Sequence, residues 1–117
     1  MMKIAVIGAG QMGNGIAQVA ASAGYEVVMV DIKQEYVDKG IKTIQKSLGK
    51  LVAKERISQS DADSAIARIK LSTERSDCHD VDLVVEAVPE ILELKTEIFA
   101  ELDKICQPDC ILASNTS

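Results

Sequence analysis

The stretch Lys3-Ile-Ala-Val-Ile-Gly-Ala-Gly-Gln-Met-Gly13 decides the fold of this chain. Its beginning is a short, nearly continuous apolar run, which is typical of a parallel β-strand buried on both faces. Gly8, Gly10 and Gly13 then form a G-x-G-x-x-G pattern, and apolar residues recur at helical spacing from position 11 to position 23. The sequence therefore predicts a strand, a tight glycine turn and a helix.

A second apolar run, Val27-Val-Met-Val30, ends at Asp31 and completes a strand-helix-strand unit. A G-x-G-x-x-G pattern alone is a weak signal, but in this context it is typical of dinucleotide binding. Gly8 allows the tight turn, Gly10 lets a pyrophosphate approach the backbone, and Gly13 lets the helix pack closely on the first strand. The helix start, with Gln11 and Met12, offers free N–H groups and a favourable dipole to the phosphates.

Asp31 lies at the end of the second strand, where a carboxylate accepts hydrogen bonds from the adenosine ribose hydroxyls. The same carboxylate repels a 2′-phosphate, so we expect NAD rather than NADP, with Lys33 able to weaken that preference. The alternative is that the glycines serve only the turn and its packing, and that Asp31 is a solvated strand end.

Strands and helices alternate along the rest of the chain, which predicts an α/β fold: a doubly wound parallel sheet with right-handed crossovers. One domain is expected over residues 1–117. Between the second and third strands, residues 34–68 read as a helical hairpin. Its second helix begins near Ser60, where Ser60-Asp-Ala-Asp63 supplies a cap and an acidic first turn. Further strands are predicted at 69–72, 83–86 and 111–113, with a helix from Ile91 to about Cys106.

Composition excludes several classes of protein. Of 117 residues, 47% are hydrophobic and 26% charged, as in ordinary globular proteins. Aromatic residues make up 3% and the net charge is -5, which argues against a nucleic-acid partner. The first strand begins at Lys3 and every apolar run is short, so we expect neither a signal peptide nor a membrane span, and a cytoplasmic location.

The three cysteines favour no redox or metal site. Cys106 and Cys110 have a C-x3-C spacing that matches no common redox or zinc pattern, and Cys78 is distant in sequence. We expect all three to be reduced, with Cys106 and Cys110 as small buried apolar residues, Cys110 opening the fifth strand.

Ligands of an open parallel sheet lie beyond the carboxyl ends of its strands. This rule selects the glycine turn and Asp31, and adds Glu86-Ala-Val-Pro-Glu90 and Ser114-Asn-Thr-Ser117. The last segment carries hydroxyls and an amide that suit a nicotinamide edge or a substrate oxygen. It can also be an ordinary polar loop.

Four sequence blocks stand out by their order and spacing, which are more specific than any one of them. The blocks are residues 8–17, Asp82-Leu-Val-Val-Glu-Ala-Val-Pro-Glu90, Lys95 and Ser114-Asn-Thr-Ser117. Together they make the chain resemble, over its whole length, the 3-hydroxyacyl-CoA dehydrogenases, including the bacterial 3-hydroxybutyryl-CoA dehydrogenases. The resemblance implies an NAD-binding domain that is followed by a helical domain, which completes the active site and forms a homodimer.

The resemblance also implies roles for single residues. Glu90 and Lys95 would lie along the nicotinamide half of NAD, Asn115 near the nicotinamide, and Ser117 against both the cofactor and the reacting oxygen of the substrate, as a catalytic residue. Without the family resemblance, Glu90 can be a first-turn acid of a helix and Lys95 a solvated helix residue.

The helical hairpin would receive the CoA part of an acyl-CoA substrate, and the positions that match the family's are Ser47 and Lys54. Ser117 would contact the acyl part of the same substrate. A lysine stripe runs along the first helix of the hairpin and would be available to the CoA phosphates. Such a stripe is more often only a solvated face. The stripe consists of Lys42, Lys46, Lys50 and Lys54.

A base for hydride transfer is missing. Oxidation of a secondary alcohol needs a group that takes the hydroxyl proton, commonly a histidine. His79 lies before the fourth strand, away from the carboxyl edge, and does not match the family's catalytic histidine. We therefore expect a domain that binds NAD with little or no turnover of its own, the base and much of the substrate pocket being supplied by segments beyond Ser117.

Two other functions remain open at this stage. One is a stand-alone NAD-binding or redox-sensing module without catalysis. The other is a two-domain dehydrogenase of a small hydroxy acid, against which the helical hairpin and Ser114-Asn-Thr-Ser117 both argue.

Overall fold

The structure, a computed structural model, describes residues 2–87 and 92–114. Within these residues five strands alternate with four α-helices, and a 3-10 turn follows the third strand. The strands are Lys3–Ile7 (β1), Glu26–Val30 (β2), Ile69–Ser72 (β3), Leu83–Glu86 (β4) and Ile111–Ser114 (β5). The helices are Gln11–Ser22 (α1), Gln34–Ala53 (α2), Gln59–Ala67 (α3) and Leu92–Ile105 (α4), and the 3-10 turn is Arg75–Cys78.

The five strands form one parallel sheet in the order β3-β2-β1-β4-β5, which confirms the predicted fold class. The direction of strand order reverses at β1, between β2 and β4. Ile7 pairs with Val30 on one side and Glu86 on the other, so the three central strands end level with one another. Their carboxyl ends therefore form the edge at which ligands of such sheets bind.

Each face of the sheet carries its own apolar core. Ile4 and Val6 pack on one face with buried residues of α1, α2 and α3. Ala5 and Ile7 point to the other face and pack with Ile98 and Leu102 of α4 and with Cys78 of the 3-10 turn. This alternation follows from the two-residue period of a strand and explains why β1 is apolar throughout.

The turn between β1 and α1 needs two of its glycines for reasons internal to the chain. Gly8 has φ 108°, a conformation that favours glycine. A Cβ at Gly13 would lie 1.8 Å from the carbonyl oxygen of Gly8, so only glycine lets α1 approach β1 this closely. The structure confirms the prediction that Gly13 lets α1 pack closely on β1.

Two helices, α2 and α3, lie between β2 and β3, at the place predicted for the hairpin. The prediction that Ser60 caps the second of them is wrong, because α3 begins at Gln59 and its N-cap is Ser58. The Asp61 N–H donates a hydrogen bond to Ser58 Oγ at 3.0 Å. Ser58 therefore supplies the acceptor that the first turn of α3 requires.

Differences at other element ends are small. The strand β5 begins at Ile111, as its predicted range has it, so Cys110 precedes the strand instead of opening it, and Cys106 follows the last residue of α4. No helix in the described part of the chain combines the length and the apolar character needed to cross a membrane.

Candidate functional site

A cavity of about 1100 Å³ opens at the carboxyl edge of the sheet. Its walls come from the glycine turn, the end of β2, the first half of α2, the segment after β3, and α4. The lining residues include Gly8, Gly10, Gln11, Met12, Asp31, Ile32, Tyr36, Lys39, Thr43, Arg75, Ile98 and Glu101. The predicted residues of the glycine turn and Asp31 thus belong to one cavity, except Gly13, which packs beneath it.

Gly10 is the N-cap of α1 and supplies no side chain to cap the helix. The Asn14 N–H bonds to the Gly10 carbonyl at 2.9 Å, so the N–H groups before it are those left for a ligand. A Cβ at Gly10 would have no atom of the described chain within 4 Å, and its φ of -68° is open to any residue. Neither packing nor conformation explains this glycine, whereas a phosphate close to the backbone does.

The carboxylate of Asp31 is tied to the same turn. Asp31 Oδ2 accepts a hydrogen bond from the Ala9 N–H at 2.8 Å, and Oδ1 accepts one from the Ile32 N–H at 2.7 Å. Each oxygen of a carboxylate can accept more than one hydrogen bond, so both retain capacity for ribose hydroxyls. Asp31 therefore fits the ribose of a dinucleotide while it also orders the glycine turn.

Helix α2 contacts the glycine turn at Gly40, which also lines the cavity. A Cβ there would lie 2.9 Å from the carbonyl oxygen of Ala9 and 3.0 Å from the Met29 methyl carbon. Glycine is needed at this contact because backbone meets backbone. The contact places Tyr36, Lys39 and Thr43 of α2 in the cavity wall.

Apolar side chains are exposed in the part of the cavity wall that follows Asp31 in sequence. Ile32 is 67% exposed, and Tyr36 is 41% exposed. Both follow Asp31 and line the cavity, as does the buried Ile98 from α4. An apolar surface beside a carboxylate at the end of β2 suits the flat face of an adenine ring.

An ion pair joins two further walls of the cavity. Arg75 Nη1 lies 2.6 Å from Glu101 Oε2, linking the 3-10 turn to α4. The Arg75 side chain is 16% exposed and that of Glu101 is 44% exposed. Both residues line the cavity.

The residues assigned to CoA lie elsewhere. Ser47 is half-buried on α2, and Lys54 is exposed at the C-terminal cap of the same helix. Neither lines the cavity around the glycine turn. Glu90, Asn115 and Ser117 lie outside the described residues, as does the side chain of Lys95, whose backbone is part of α4.

His79 and the cysteines do not line the cavity. His79 ends the 3-10 turn that precedes β4, and its Nδ1 is 3.0 Å from the Ser76 carbonyl oxygen. Burial raises the pKa of the Cys78 thiol to about 12 and that of Cys106 to about 11. Cys78 is fully buried, but Cys106 and Cys110 are only half-buried, which corrects the prediction for those two.

Some lining residues were absent from the sequence prediction. The rule about carboxyl ends, applied to β3, would have selected Thr73 to Arg75, which immediately follow that strand. Lys39 and Thr43 of α2, like Ile98 and Glu101 of α4, reach the cavity only through helix packing, for which the sequence carried no local signal.

Comparisons with known proteins agree with this geometry. The family model described as the 3-hydroxyacyl-CoA dehydrogenase NAD-binding domain matches residues 3–117. A probable 3-hydroxybutyryl-CoA dehydrogenase of Deinococcus radiodurans is 50% identical over 99% of this chain, and the match spans 41% of that protein. A peroxisomal fatty acid beta-oxidation multifunctional protein of Arabidopsis thaliana is 43% identical over 98% of the chain and 16% of its own length.

A solved structure shows the same fold. The crystal structure of an (S)-3-hydroxybutyryl-CoA dehydrogenase from Ralstonia eutropha superimposes with a TM-score of 0.97 at 45% identity. The match covers all of this chain and 41% of the Ralstonia chain, so this chain spans well under half the length of these bacterial relatives. The chain belongs to the family of 3-hydroxyacyl-CoA dehydrogenase NAD-binding domains, and its cofactor is NAD.

Proposed function

We propose that this chain is the cofactor-binding part of an enzyme that interconverts (S)-3-hydroxyacyl-CoA and 3-ketoacyl-CoA. The observation that carries the proposal is the open space at Gly10, beside Asp31, in a chain that matches dehydrogenases of such CoA esters over its full length. NAD, when bound, accepts or returns the hydride.

The described residues bind and orient this cofactor. The N–H groups at the start of α1 hold the pyrophosphate, and Asp31 holds the adenosine ribose. The apolar wall at Ile32 and Ile98 receives the adenine. Glu90, Lys95, Asn115 and Ser117 are assigned to the nicotinamide side, and Ser117 also contacts the reacting oxygen of the substrate.

The acyl-CoA substrate is assigned to α2. Ser47 and Lys54 are separated by seven residues, or about two helical turns, and therefore share a side of the helix. The exposed lysines of α2 provide positive charge for the CoA phosphates, in a chain whose net charge is -5. Such local positive charge suits a small anionic ligand, whereas the net charge disfavours nucleic acid.

The remainder of the active site is proposed to lie in a helical domain beyond Ser117. That domain would supply the general base, complete the substrate pocket and form a homodimer. The 117-residue chain would then bind NAD but turn over acetoacetyl-CoA poorly. We place the enzyme in the cytoplasm, where its free thiols would stay reduced.

The proposal is tested by two measurements. Calorimetric titration of NAD, NADP and acetoacetyl-CoA into the chain should show NAD binding, and a longer protein that carries this chain and a helical domain should reduce acetoacetyl-CoA with NADH. A longer protein that binds NAD but reduces no 3-ketoacyl-CoA would contradict the proposed reaction and favour a binding module.

The CoA assignment has its own test. In that longer protein, Lys54→Glu should raise the Michaelis constant for acetoacetyl-CoA and leave that for NADH unchanged. Lys104→Glu is the matched control, because Lys104 is an exposed lysine on α4, which packs on the other face of the sheet. Equal effects of the two substitutions would exclude a specific role for Lys54.

A further inference from the structure

The ion pair between Arg75 and Glu101 has no role in holding NAD as described above, yet both residues line the cofactor cavity. Arg75 Nη1 and Glu101 Oε2 are 2.6 Å apart, which is the distance of a charge-assisted hydrogen bond. A guanidinium beside a nucleotide site is normally a phosphate ligand. Here its charge is already matched by a carboxylate.

The position of Arg75 is fixed relative to Asp31. Strand β3 lies beside β2, and the Asp31 N–H donates to the Ser72 carbonyl oxygen at 3.2 Å. Ser72 Oγ in turn accepts a hydrogen bond from the Glu74 N–H at 2.9 Å and orders the backbone that leads to Arg75. Arg75 therefore stands three residues past the strand end that adjoins Asp31.

This is the region in which a 2′-phosphate would lie. Rossmann domains distinguish the two cofactors beside the acid at the end of β2, and an arginine nearby accommodates the 2′-phosphate of NADP. Arg75 is such an arginine, since it follows the strand end that adjoins Asp31 and lines the same cavity. Its free binding capacity, however, is reduced by Glu101 from α4.

Lys33, a cation that follows β2, is held less closely than Arg75 and is more exposed. Lys33 Nζ lies 4.0 Å from Glu35 Oε1 and 5.7 Å from the centre of the Tyr36 ring. Lys39 also lines the cavity, and it is the rival candidate for binding a 2′-phosphate.

We propose that Glu101 is a specificity-determining residue for the cofactor, acting by holding and neutralising the Arg75 guanidinium so that it does not bind the 2′-phosphate of NADP. Glu101 is thus a positioning residue that adds to the repulsion exerted by Asp31. The proposal rests on the proposed assignment of this cavity to the adenosine end of NAD.

The test is Glu101→Ala, with NADH and NADPH titrated separately into the 117-residue chain and followed by nicotinamide fluorescence. NADPH should bind to the variant roughly three- to tenfold more tightly than to the wild type. The affinity for NADH should change by less than about twofold. The gain should shrink as salt is added, because it comes from a partly exposed charge. Glu101→Asp, which keeps the carboxylate, should retain the wild-type preference.

Two controls separate this effect from others. Glu97→Ala removes the same charge from an exposed position one turn earlier on α4, outside the cavity lining, and should leave the NADPH affinity unchanged. In the double variant Arg75→Ala, Glu101→Ala the gain should disappear. Thermal unfolding of each variant shows whether affinity is compared between folded chains.

Three results would overturn the proposal. An unchanged preference in Glu101→Ala would show that the ion pair does not affect selectivity. A gain that survives in the double variant would assign the phosphate to another cation such as Lys39, and an equal gain in Glu97→Ala would reduce the effect to net charge. Failure of the wild type to bind NADH would instead reject the cofactor assignment, and this inference with it.

Discussion

The Asp31 carboxylate accepts a hydrogen bond from the backbone N–H of Ala9 at 2.8 Å, across 22 residues of sequence. The acid that is expected to hold the ribose thus also holds the turn that is expected to hold the pyrophosphate. The two halves of the adenosine diphosphate site are therefore linked through one side chain, and a substitution at position 31 changes both.

Asp31→Ala should weaken NAD binding by roughly ten- to a hundredfold, because it removes the ribose acceptor and the turn acceptor together. Asp31→Asn should lose less affinity, since the amide oxygen can still accept the Ala9 N–H. Calorimetric titration of NAD into the wild type and the two variants measures the order of their affinities. If Asp31→Ala retained the wild-type affinity, Asp31 would have no role in cofactor binding.

Gly40→Ala should disturb the glycine turn where α2 contacts it. The added methyl would meet the Ala9 carbonyl oxygen at 2.9 Å, so α2 or the turn must shift, at a cost of about 1–3 kcal/mol in the free energy of unfolding and a several-fold loss of NAD affinity. Urea unfolding and NAD titration measure the two effects.

The matched control is Gly49→Ala on the same helix, where a Cβ has no atom of the described chain within 4 Å. It should stabilise the chain by up to about 1 kcal/mol, because alanine is the better helix former, and leave NAD affinity unchanged. A Gly40→Ala protein with the stability and affinity of the wild type would show that α2 does not support the turn.

Cys78 should make stability depend on alkaline pH. Its thiol has a pKa of about 12 in the folded chain, whereas an unfolded cysteine loses its proton near pH 8.5. Above that pH the unfolded state binds fewer protons than the folded state, so the free energy of unfolding should fall as pH rises, by at most about 1.4 kcal/mol per pH unit from this group.

The measurement is urea unfolding from pH 8 to pH 10.5, compared with Cys78→Ala. The variant should be less stable at pH 8 because it loses buried contacts, but its stability should fall less steeply with pH. Parallel curves for the two proteins would contradict the assignment of this pH dependence to Cys78.

Much of the fold follows from local sequence patterns. The apolar runs at β1 and β2 predict strands because both faces of a parallel sheet are buried, and the glycine at position 8 marks the turn because its φ is positive. The cap of α3 was misplaced from Ser58 to Ser60, since both are serines at a helix start and only tertiary geometry selects between them.

The sequence predicted those parts of the candidate site that lie directly after a strand. Gly8 to Met12 and Asp31 line one cavity as expected, because strand ends in a parallel sheet share an edge. Arg75 and Glu101 are 26 residues apart and meet only because the 3-10 turn and α4 pack together. No spacing rule in sequence selects such a pair, and Gly40 likewise looks like an ordinary helix glycine until α2 is placed on the turn.

Gly10→Ala is the most direct measurement of the central claim, that the glycine turn at the start of α1 holds the pyrophosphate of NAD. Nothing in the described chain occupies the space of the new methyl group, so the free energy of unfolding should fall by no more than about 1 kcal/mol, the loss expected when alanine replaces glycine at an N-cap. Calorimetric titration should then show NAD affinity at least tenfold weaker, while Gly15→Ala, also without a neighbour within 4 Å, keeps the wild-type affinity. A folded Gly10→Ala protein that binds NAD as tightly as the wild type would contradict the account.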